Sequence, residues 1–378
     1  MHDLYIGLMS GTSLDGADGV LVDFSSGQTR VLAAASAPFD DVFRAELLAL
    51  NTPTHNELHR AAVAGNQVAA CYAAVVEALL LSASSLGLAK ADVNAIGAHG
   101  QTVRHQPQRL STDAAGAGYT LQLNSPALLA ELTGIDVVAD FRSRDVAANG
   151  QGAPLVPAFH RGVFGRADAS VAVLNLGGIS NLSVLPQQPD APVMGFDCGP
   201  GNALMDAWCQ RHTGRAFDDG GDWAASGQLV PELLASLLNE PYFSQPPPKS
   251  TGRDLFSLAW LFEKLTPFEA ARAEDVQNTL AEFTASTCVS AVLAHAAGSA
   301  SLIVCGGGAF NRHLLARLQA GLPGVRVTTS DAHGLPVLQV EAAAFAWLAR
   351  QTVHRWPGNL PSVTGAAGPR ILGAVYPA

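Results

Sequence analysis

The chain has 378 residues, of which 48% are hydrophobic and 14% are charged, so it is long and apolar enough to fold as two globular domains or lobes. The 32 acidic residues outnumber the 22 Lys and Arg residues, and the resulting net charge of −10, with no basic cluster, excludes the pattern typical of proteins that bind nucleic acid or anionic membranes. Five scattered cysteines without CxxC spacing predict buried thiols rather than a zinc site or a disulfide framework.

The N-terminal segment does not have the pattern of a signal peptide. It carries an acid at Asp3, lacks a basic region and enters an apolar, strand-like run at once. The longest uncharged stretch, around residues 288–310, contains His295 and three consecutive glycines, which a bilayer span would not favour. We therefore expect a soluble, cytoplasmic protein that binds neither membranes nor nucleic acid.

The first glycine-rich loop lies between two apolar runs. LYIGLM (4–9) and GVLVDF (19–24) are typical of strands, so SGTSLDG (10–16) predicts a hairpin turn. Turn chemistry alone explains its Gly, Ser, Thr and Asp residues. The same small residues would also let a phosphate approach backbone N–H groups, and the loop taken alone leaves both interpretations open.

Helices and strands then alternate along the first half of the chain. Residues 55–88 and 126–134 have helical patterns, and VNAIGAHG (93–100) and DVVADF (136–141) are typical of buried strands. This alternation predicts an α/β fold in which helices cover sheets. NGQGAPLVP (149–157) interrupts the pattern and indicates the passage between two lobes.

The second half repeats the opening pattern. Residues 169–186 form an apolar run, the turn GGISN and a second apolar run. Residues 301–318 predict a strand, a three-glycine loop and a helix, an arrangement suited either to an anionic ligand at a helix N-terminus or to tight strand-to-helix packing. PPPKSTG (246–252) lacks Walker spacing, and Ser250 or Thr251 is predicted to cap the next helix.

Asp197 is the main catalytic candidate. VMGFDCGPGNALMDAW (193–208) places it at the end of an apolar strand, before a helix that begins near Asn202. An Asp at a strand end is usually a cap or a turn former. Here the neighbouring glycines leave the carboxylate open to a ligand, and the helix N-terminus adds positive potential for a phosphate, which favours a site residue.

Seven motifs together resemble one family along the whole chain. They are GLMSGTSLDGAD (7–18), GAHGQTVRH (97–105), ADFRSRDVAANGQGAPLVPAFH (139–160), LNLGGISNLS (174–183), GFDCGPGN (195–202), PKSTGRD (248–254) and VCGGGAFN (304–311). The set resembles the anhydro-N-acetylmuramic acid kinases, within the superfamily of sugar kinases, actin and heat-shock chaperone ATPases. The resemblance implies two ribonuclease-H-like, actin-like ATPase lobes, residues 1–143 and 144–344, with a nucleotide cleft between them and a C-terminal helix and tail (345–378) packed on the first lobe.

The resemblance also implies the reaction. An ATP-dependent kinase of this family opens the 1,6-anhydro ring of 1,6-anhydro-N-acetylmuramic acid and phosphorylates its 6-oxygen, giving N-acetylmuramic acid 6-phosphate and ADP in peptidoglycan recycling. It further implies Asp197 as the general base and a homodimer as the assembly. A conventional kinase for a free sugar, or a nonenzymatic ATP-gated module of the same superfamily, is the alternative.

The implied ligand contacts fall into three sets. ATP is bound by Gly11, Thr12, Ser13, Leu14, Asp15, Gly16, Ala17, Asp18, Gly177, Gly178, Ser180, Asn181, Gly199, Gly201, Gly306, Gly307, Gly308 and Asn311, and the sugar by Gln101, Thr102, Arg142 and Glu341. The guanidinium of Arg142 suits the lactyl carboxylate, although as isolated residues Arg142 and Glu341 would be read as a strand-end ion pair and a solvated helix carboxylate. Asp15 is a candidate Mg²⁺ ligand, and Mg²⁺ on ATP often keeps most of its waters.

Overall fold

The computed structural model describes residues 2–11, 14–107, 116, 118–188, 190–252 and 255–378. Within these residues the strands are β1 (Leu4–Ser10), β2 (Gly16–Asp23), β3 (Arg30–Pro38), β4 (Val93–Gln106), β5 (Tyr119–Leu123), β6 (Val137–Ala139), β7 (Ser170–Leu176), β8 (Ile179–Leu185), β9 (Met194–Pro200), β10 (Ser299–Cys305), β11 (Arg326–Thr329) and β12 (Ala374–Tyr376). The α-helices are α1 (Asp41–Ala49), α2 (Glu57–Ser85), α3 (Pro126–Thr133), α4 (Ser143–Ala147), α5 (Val156–Phe164), α6 (Ala203–Thr213), α7 (Asp222–Ser226), α8 (Pro231–Leu238), α9 (Leu258–Leu265), α10 (Ala273–His295), α11 (Arg312–Gly321), α12 (Val340–Val353) and α13 (Pro361–Thr364).

Each of two sheets is built on the same strand order. The first runs β12-β6-β4-β1-β2-β3, with β5 paired to β4, and the second runs β11-β10-β7-β8-β9. In each, three successive antiparallel strands (β1–β3 or β7–β9) are joined by parallel strands beside the first of them (β4 and β6, or β10 and β11). This shared order confirms the predicted α/β fold of two ribonuclease-H-like units.

The chain divides into Met1–Phe159 with Gln339–Ala378, and His160–Leu338. The sequence predicts boundaries at 143/144 and 344/345 instead. Residues 144–159 stay with the first unit because Asp145 accepts hydrogen bonds from Asn359 and Thr364 of the C-terminal segment. The whole of α12 stays there too, because it packs on β1 and β4.

Judged by length and composition alone, helix α2 is long and apolar enough to cross a membrane. Of its most apolar 18-residue stretch, 39% is buried within the protein. Its buried side chains, among them Val68, Tyr72 and Leu79, lie in the core of the first unit and pack toward β2 and β3. The core helix of a soluble protein can have the same length and hydropathy as a membrane span. The feature is therefore weak support for a membrane span.

Two glycines set the position of α12 in the first unit. An added Cβ would lie 1.8 Å from the Ala342 carbonyl oxygen at Gly7, and 2.0 Å from the Phe345 carbonyl oxygen at Gly97. The helix backbone therefore lies directly against β1 and β4, at a distance that no larger residue permits. This contact fixes Glu341, which lies at the start of α12.

We predict that Gly97→Ala destabilises the first unit. The new methyl group must displace the α12 backbone, an overpacking effect that lowers the free energy of unfolding by about 1–3 kcal/mol. Hydrogen exchange of β1 and β4 amides in increasing urea measures the change. Gly298→Ala is the control, since its Cβ would have no neighbour within 4 Å. Equal protection in Gly97→Ala and the wild-type protein would contradict the prediction.

Candidate active site

Asp197 lies in the middle of β9, not at the end of a strand as the sequence predicts, because β9 continues to Pro200 and pairs with β8 over that length. Asp197 is held by a segment about 50 residues further along the chain. Its Oδ2 accepts a hydrogen bond from the Thr251 N–H at 3.0 Å, and its own N–H donates to the Lys249 carbonyl at 3.1 Å. The Tyr242 hydroxyl donates to the Asp197 carbonyl at 2.8 Å. These three bonds fix both the peptide and the carboxylate of Asp197.

The environment of Asp197 suits a proton acceptor. Burial raises the pKa of its carboxyl to about 6, and the hydrogen bond from the Thr251 N–H opposes part of that rise. The group is still mostly ionised at pH 7, yet it holds a proton more firmly than an ordinary aspartate. A base whose pKa lies close to the working pH is the efficient choice for general base catalysis.

Two of the predicted glycine loops of the second unit are hydrogen-bonded to each other at one end of its sheet. The N–H groups of Gly201 and Ala203 donate to the Gly178 carbonyl at 2.9 and 3.2 Å, and the Asn202 N–H donates to the Gly177 carbonyl at 2.8 Å. The Asn202 side chain donates to the Leu176 carbonyl at 3.0 Å. The β7–β8 turn and the start of α6 therefore form one continuous surface.

The glycines of these loops fall into two groups, which differ in the space available to an added Cβ. At Gly201 an added Cβ would lie 2.2 Å from the Gly177 carbonyl oxygen, and at Gly308 it would lie 2.5 Å from the Leu176 Cβ, so both serve close packing. At Gly177 and Gly307 the nearest atom would be 3.6 Å away. Gly177 and Gly307 therefore leave their backbone accessible to a flat or anionic ligand.

The remaining predicted nucleotide contacts of the second unit lie on the same elements. The Ser180 hydroxyl donates to the Gly199 carbonyl at 3.0 Å, and Asn181 pairs with Asp197 in the β8–β9 register. Gly306 has φ of +80°, which favours glycine, and its N–H donates to the Val337 carbonyl at 2.9 Å. Their role in binding ATP stays a prediction.

The structure shows which side chains cap helices α11 and α9. Asn311 caps α11, because its Oδ1 accepts a hydrogen bond from the Leu314 N–H at 2.9 Å. This side chain therefore stabilises the N-terminus of the helix. The prediction that Ser250 or Thr251 caps the next helix is wrong. Ser257 caps α9 by accepting from the Trp260 N–H at 3.2 Å. Thr251 instead directs its N–H to Asp197, a contact between segments distant in sequence.

The predicted phosphate loop of the first unit is a turn between β1 and β2. The Leu14 N–H donates to the Gly11 carbonyl at 3.2 Å, while Gly16, Ala17 and Asp18 begin β2. Gly16 serves packing, because an added Cβ would lie 2.3 Å from the Ala37 carbonyl oxygen. Thr12 and Ser13 lie outside the described residues.

The predicted metal ligand Asp15 is an exposed carboxylate on this turn. Its Oδ1 lies 3.8 Å from the Arg44 guanidinium, and desolvation together with the Asp15 carboxylate raises the pKa of Asp18. Among the residues described, no group of three or more His, Cys, Asp or Glu side chains could hold a metal ion. The two carboxylates fit a cation that keeps most of its waters, as Mg²⁺ does.

The predicted sugar contacts of the first unit lie on β4 (Gln101 and Thr102), after β6 (Arg142) and in the first turn of α12 (Glu341). The buried Gln101 side chain accepts from the Ser10 hydroxyl, and the Thr102 hydroxyl accepts from Gln122 Nε2 at 3.2 Å. Arg142 donates from Nε to His99 Nε2 at 3.0 Å and from Nη1 to the Gly152 carbonyl at 2.8 Å. The structure thus places Arg142 among neutral acceptors.

Arg142 and Glu341 are electrostatically coupled. Burial lowers the pKa of Arg142 to about 10, and the nearby carboxylates of Glu341 and Asp145 oppose the shift. Burial raises the pKa of Glu341, and Arg142 opposes that rise. Arg142 remains a cation at neutral pH, so it is able to attract an anionic ligand.

The sequence does not predict the residues that hold Asp197 and Arg142 in position. Thr251 lies in the motif PKSTGRD, which was a signal that the segment matters, but nothing local connects it to Asp197. Tyr242 carries no motif at all. Asp145 likewise gives no sign that it bonds to Asn359 and Thr364, which lie more than 200 positions away.

Comparison with known proteins gives full-length matches. The family described as anhydro-N-acetylmuramic acid kinase matches residues 3–378. The anhydro-N-acetylmuramic acid kinase of Variovorax paradoxus is 65% identical, over 100% of this chain and 99% of that protein. The one from Albidiferax ferrireducens is 60% identical over 100% of both, and the one from Nitrosomonas europaea is 53% identical over 99% of both.

Similar solved structures include more distant proteins. The activator of the 2-hydroxyisocaproyl-CoA dehydratase from Clostridium difficile with bound ADPNP is 13% identical, with a TM-score of 0.47 over 93% of this chain and 96% of that chain. A ROK family glucokinase from Streptomyces griseus in complex with glucose and AMPPNP is 16% identical, with a TM-score of 0.41 over 92% and 99%. Both scores lie below 0.5, so neither likeness bears on function.

We predict that Asp197 titrates near pH 6 in the free protein, because its burial disfavours the charged form. Carbon-13 NMR of labelled aspartate carboxyls measures the midpoint directly. Asp197→Asn identifies the resonance by removing it. A midpoint near 4, the value of an ordinary aspartate, would contradict the prediction.

Proposed function

The chain belongs to the anhydro-N-acetylmuramic acid kinase family, and we propose that it uses ATP to open the 1,6-anhydro ring of 1,6-anhydro-N-acetylmuramic acid and to phosphorylate its 6-oxygen. The products are N-acetylmuramic acid 6-phosphate and ADP, and the reaction takes place in the cytoplasm during peptidoglycan recycling. The observation that carries the proposal is the Asp197 carboxylate, oriented by Thr251 and given a pKa of about 6.

Asp197 acts as the general base on water. As the water oxygen bonds to the anomeric carbon, Asp197 takes its proton, and the bond from that carbon to the 6-oxygen breaks with its electron pair moving to the 6-oxygen. The 6-oxygen then bonds to the γ-phosphorus of ATP while the bond to the β,γ-bridging oxygen breaks. ADP leaves, and the proton on Asp197 returns to solvent.

The first unit recognises the sugar. Arg142 pairs with the lactyl carboxylate, because a guanidinium binds carboxylates with two parallel hydrogen bonds. Gln101, Thr102 and Glu341 supply amide, hydroxyl and carboxylate groups for the sugar hydroxyls and the acetamido group. Their positions on β4 and α12 support this role, since these two elements pack against each other in the first unit.

ATP contacts come from the glycine loops. The accessible backbone at Gly177 and Gly307 suits the nucleotide, and the turn from Gly11 to Asp18 binds its phosphates. Phosphoryl transfer depends mainly on alignment and on neutralising charge. Mg²⁺ supplies that neutralisation when bound to ATP, and Asp15 and Asp18 are the residues of this loop that would hold its waters. A homodimer remains a prediction.

We predict that Asp197→Asn lowers turnover of the anhydro sugar by at least about 100-fold, because the amide cannot accept the proton from water. Product formation measured by mass spectrometry gives the rate, and calorimetry gives the ATP affinity, which should not change. Asp168→Asn is the control, since that exposed carboxylate pairs with the exposed Arg166. A folded Asp197→Asn protein with full turnover would contradict the role of Asp197.

We also predict that turnover in water enriched in oxygen-18 places one heavy oxygen on the anomeric carbon and none on the 6-oxygen. Water supplies the anomeric hydroxyl when the ring opens, whereas a kinase for a free sugar uses no water. Early time points, quenched in cold acid and corrected with unlabelled product, remove the exchange of the free reducing sugar. Label at or below that exchange background would favour the conventional kinase.

A further inference from the structure

Two of the three nitrogens of Arg142 are held by the protein. Nε donates to His99 Nε2 and Nη1 donates to the Gly152 carbonyl. Burial and the neighbouring guanidinium hold the pKa of His99 well below its usual value, so its ring is neutral and accepts the bond. No residue in the described part of the chain hydrogen-bonds to Nη2. The free edge of the guanidinium therefore carries the remaining N–H groups, one on Nη1 and two on Nη2, and these are donors that a carboxylate accepts.

Gly152 is held from its other side by Asp145. Asp145 Oδ2 accepts from the Gly152 N–H at 2.8 Å, while the carbonyl of the same glycine accepts from Arg142. Gly152 has φ of +66°, a conformation that glycine adopts readily. One residue thus connects the Asp145 carboxylate to the Arg142 guanidinium.

Asp145 is itself fully buried and fixed. Its Oδ1 accepts from Asn359 Nδ2 at 2.6 Å and from the Thr364 hydroxyl at 2.8 Å. A buried carboxylate persists in a fold when such donors compensate its charge. These bonds prevent Asp145 from rotating away from Gly152, so the position of the Gly152 carbonyl depends on the C-terminal segment.

We propose that Asp145 is a positioning residue which, through Gly152, aligns Arg142 for the carboxylate of the sugar and so sets the preference for carboxylate-bearing sugars. The inference rests on the proposed function, in which Arg142 binds that carboxylate. A change at Asp145 moves the Gly152 carbonyl, which misaligns the free edge of the guanidinium. The loss should fall on sugars that carry the carboxylate and spare sugars that lack it.

The test compares 1,6-anhydro-N-acetylmuramic acid with 1,6-anhydro-N-acetylglucosamine, which lacks the lactyl carboxylate. The measured quantity is the ratio of kcat/KM for the two sugars. Asp145→Asn replaces one acceptor oxygen with an amino group, so either the Gly152 N–H or the two donors to Oδ1 lose their acceptor. We expect the ratio to fall about tenfold, through a raised KM for the carboxylate-bearing sugar, with the KM for ATP unchanged.

A double-variant cycle separates positioning from a general structural effect. Arg142→Lys removes the bidentate contact with the carboxylate and should lower the same ratio of kcat/KM values. If Asp145 acts through Arg142, adding Asp145→Asn to Arg142→Lys lowers the ratio by less than twofold further. A full additional tenfold fall in the double variant, or an Asp145→Asn protein with the wild-type ratio, would overturn the inference.

A matched pair of threonine variants covers the case in which Asp145→Asn does not fold. Thr364→Val removes one donor to Asp145, whereas Thr352→Val removes another buried hydroxyl, which bonds to the Leu348 and Leu372 carbonyls. Thr364→Val should lower the ratio about threefold and Thr352→Val should leave it unchanged. Equal ratios in the two variants would overturn the inference.

Binding measured without ATP distinguishes this inference from the proposed function. A wild-type protein that binds the carboxylate-bearing sugar more tightly but forms no product would contradict the proposed reaction, and the binding ratio would then replace the kinetic ratio in the same variants. A wild-type protein with no preference in binding or turnover would overturn the role of Asp145.

Discussion

The hydrogen bond from the Thr251 N–H to Asp197 is the contact on which the proposed chemistry depends. Burial favours the protonated form of this carboxyl, and the N–H donor favours the ionised form, so the pKa of about 6 is a balance of the two. More donors would lower the pKa and weaken the base, and loss of the Thr251 donor would raise the pKa. Asp145 shows the other use of a buried carboxylate, since three donors hold it as a fixed anchor.

In the first unit, close packing of the backbone determines where the charged side chains lie. Gly7 and Gly97 let the α12 backbone lie directly against β1 and β4, which brings Glu341 into the electrostatic range of Arg142. Arg142 is held in turn by His99 and Gly152. The placement of these charged groups thus depends on backbone packing as well as on their own hydrogen bonds.

The sequence predicts the hairpins and the glycine loops, because each follows from the local alternation of apolar, glycine and polar residues. It places Asp197 at the end of a strand, whereas the structure places it in the middle of β9. Long-range contacts leave no such pattern. Thr251 looks like a helix cap in sequence, yet its N–H bonds to Asp197 and Ser257 caps α9. Likewise, sequence cannot separate Gly177, where an added Cβ would make only an ordinary contact at 3.6 Å, from Gly201, where it would lie 2.2 Å from a carbonyl oxygen.

The pH dependence of kcat/KM for 1,6-anhydro-N-acetylmuramic acid tests the central claim most directly, because it reports the ionisation of the essential base in the free enzyme. If Asp197 is that base, kcat/KM is constant above neutral pH and falls about tenfold per pH unit below about pH 6, since the protonated carboxyl cannot take a proton from water. A rate that stays constant down to pH 5, in a protein that remains folded, would contradict the assignment.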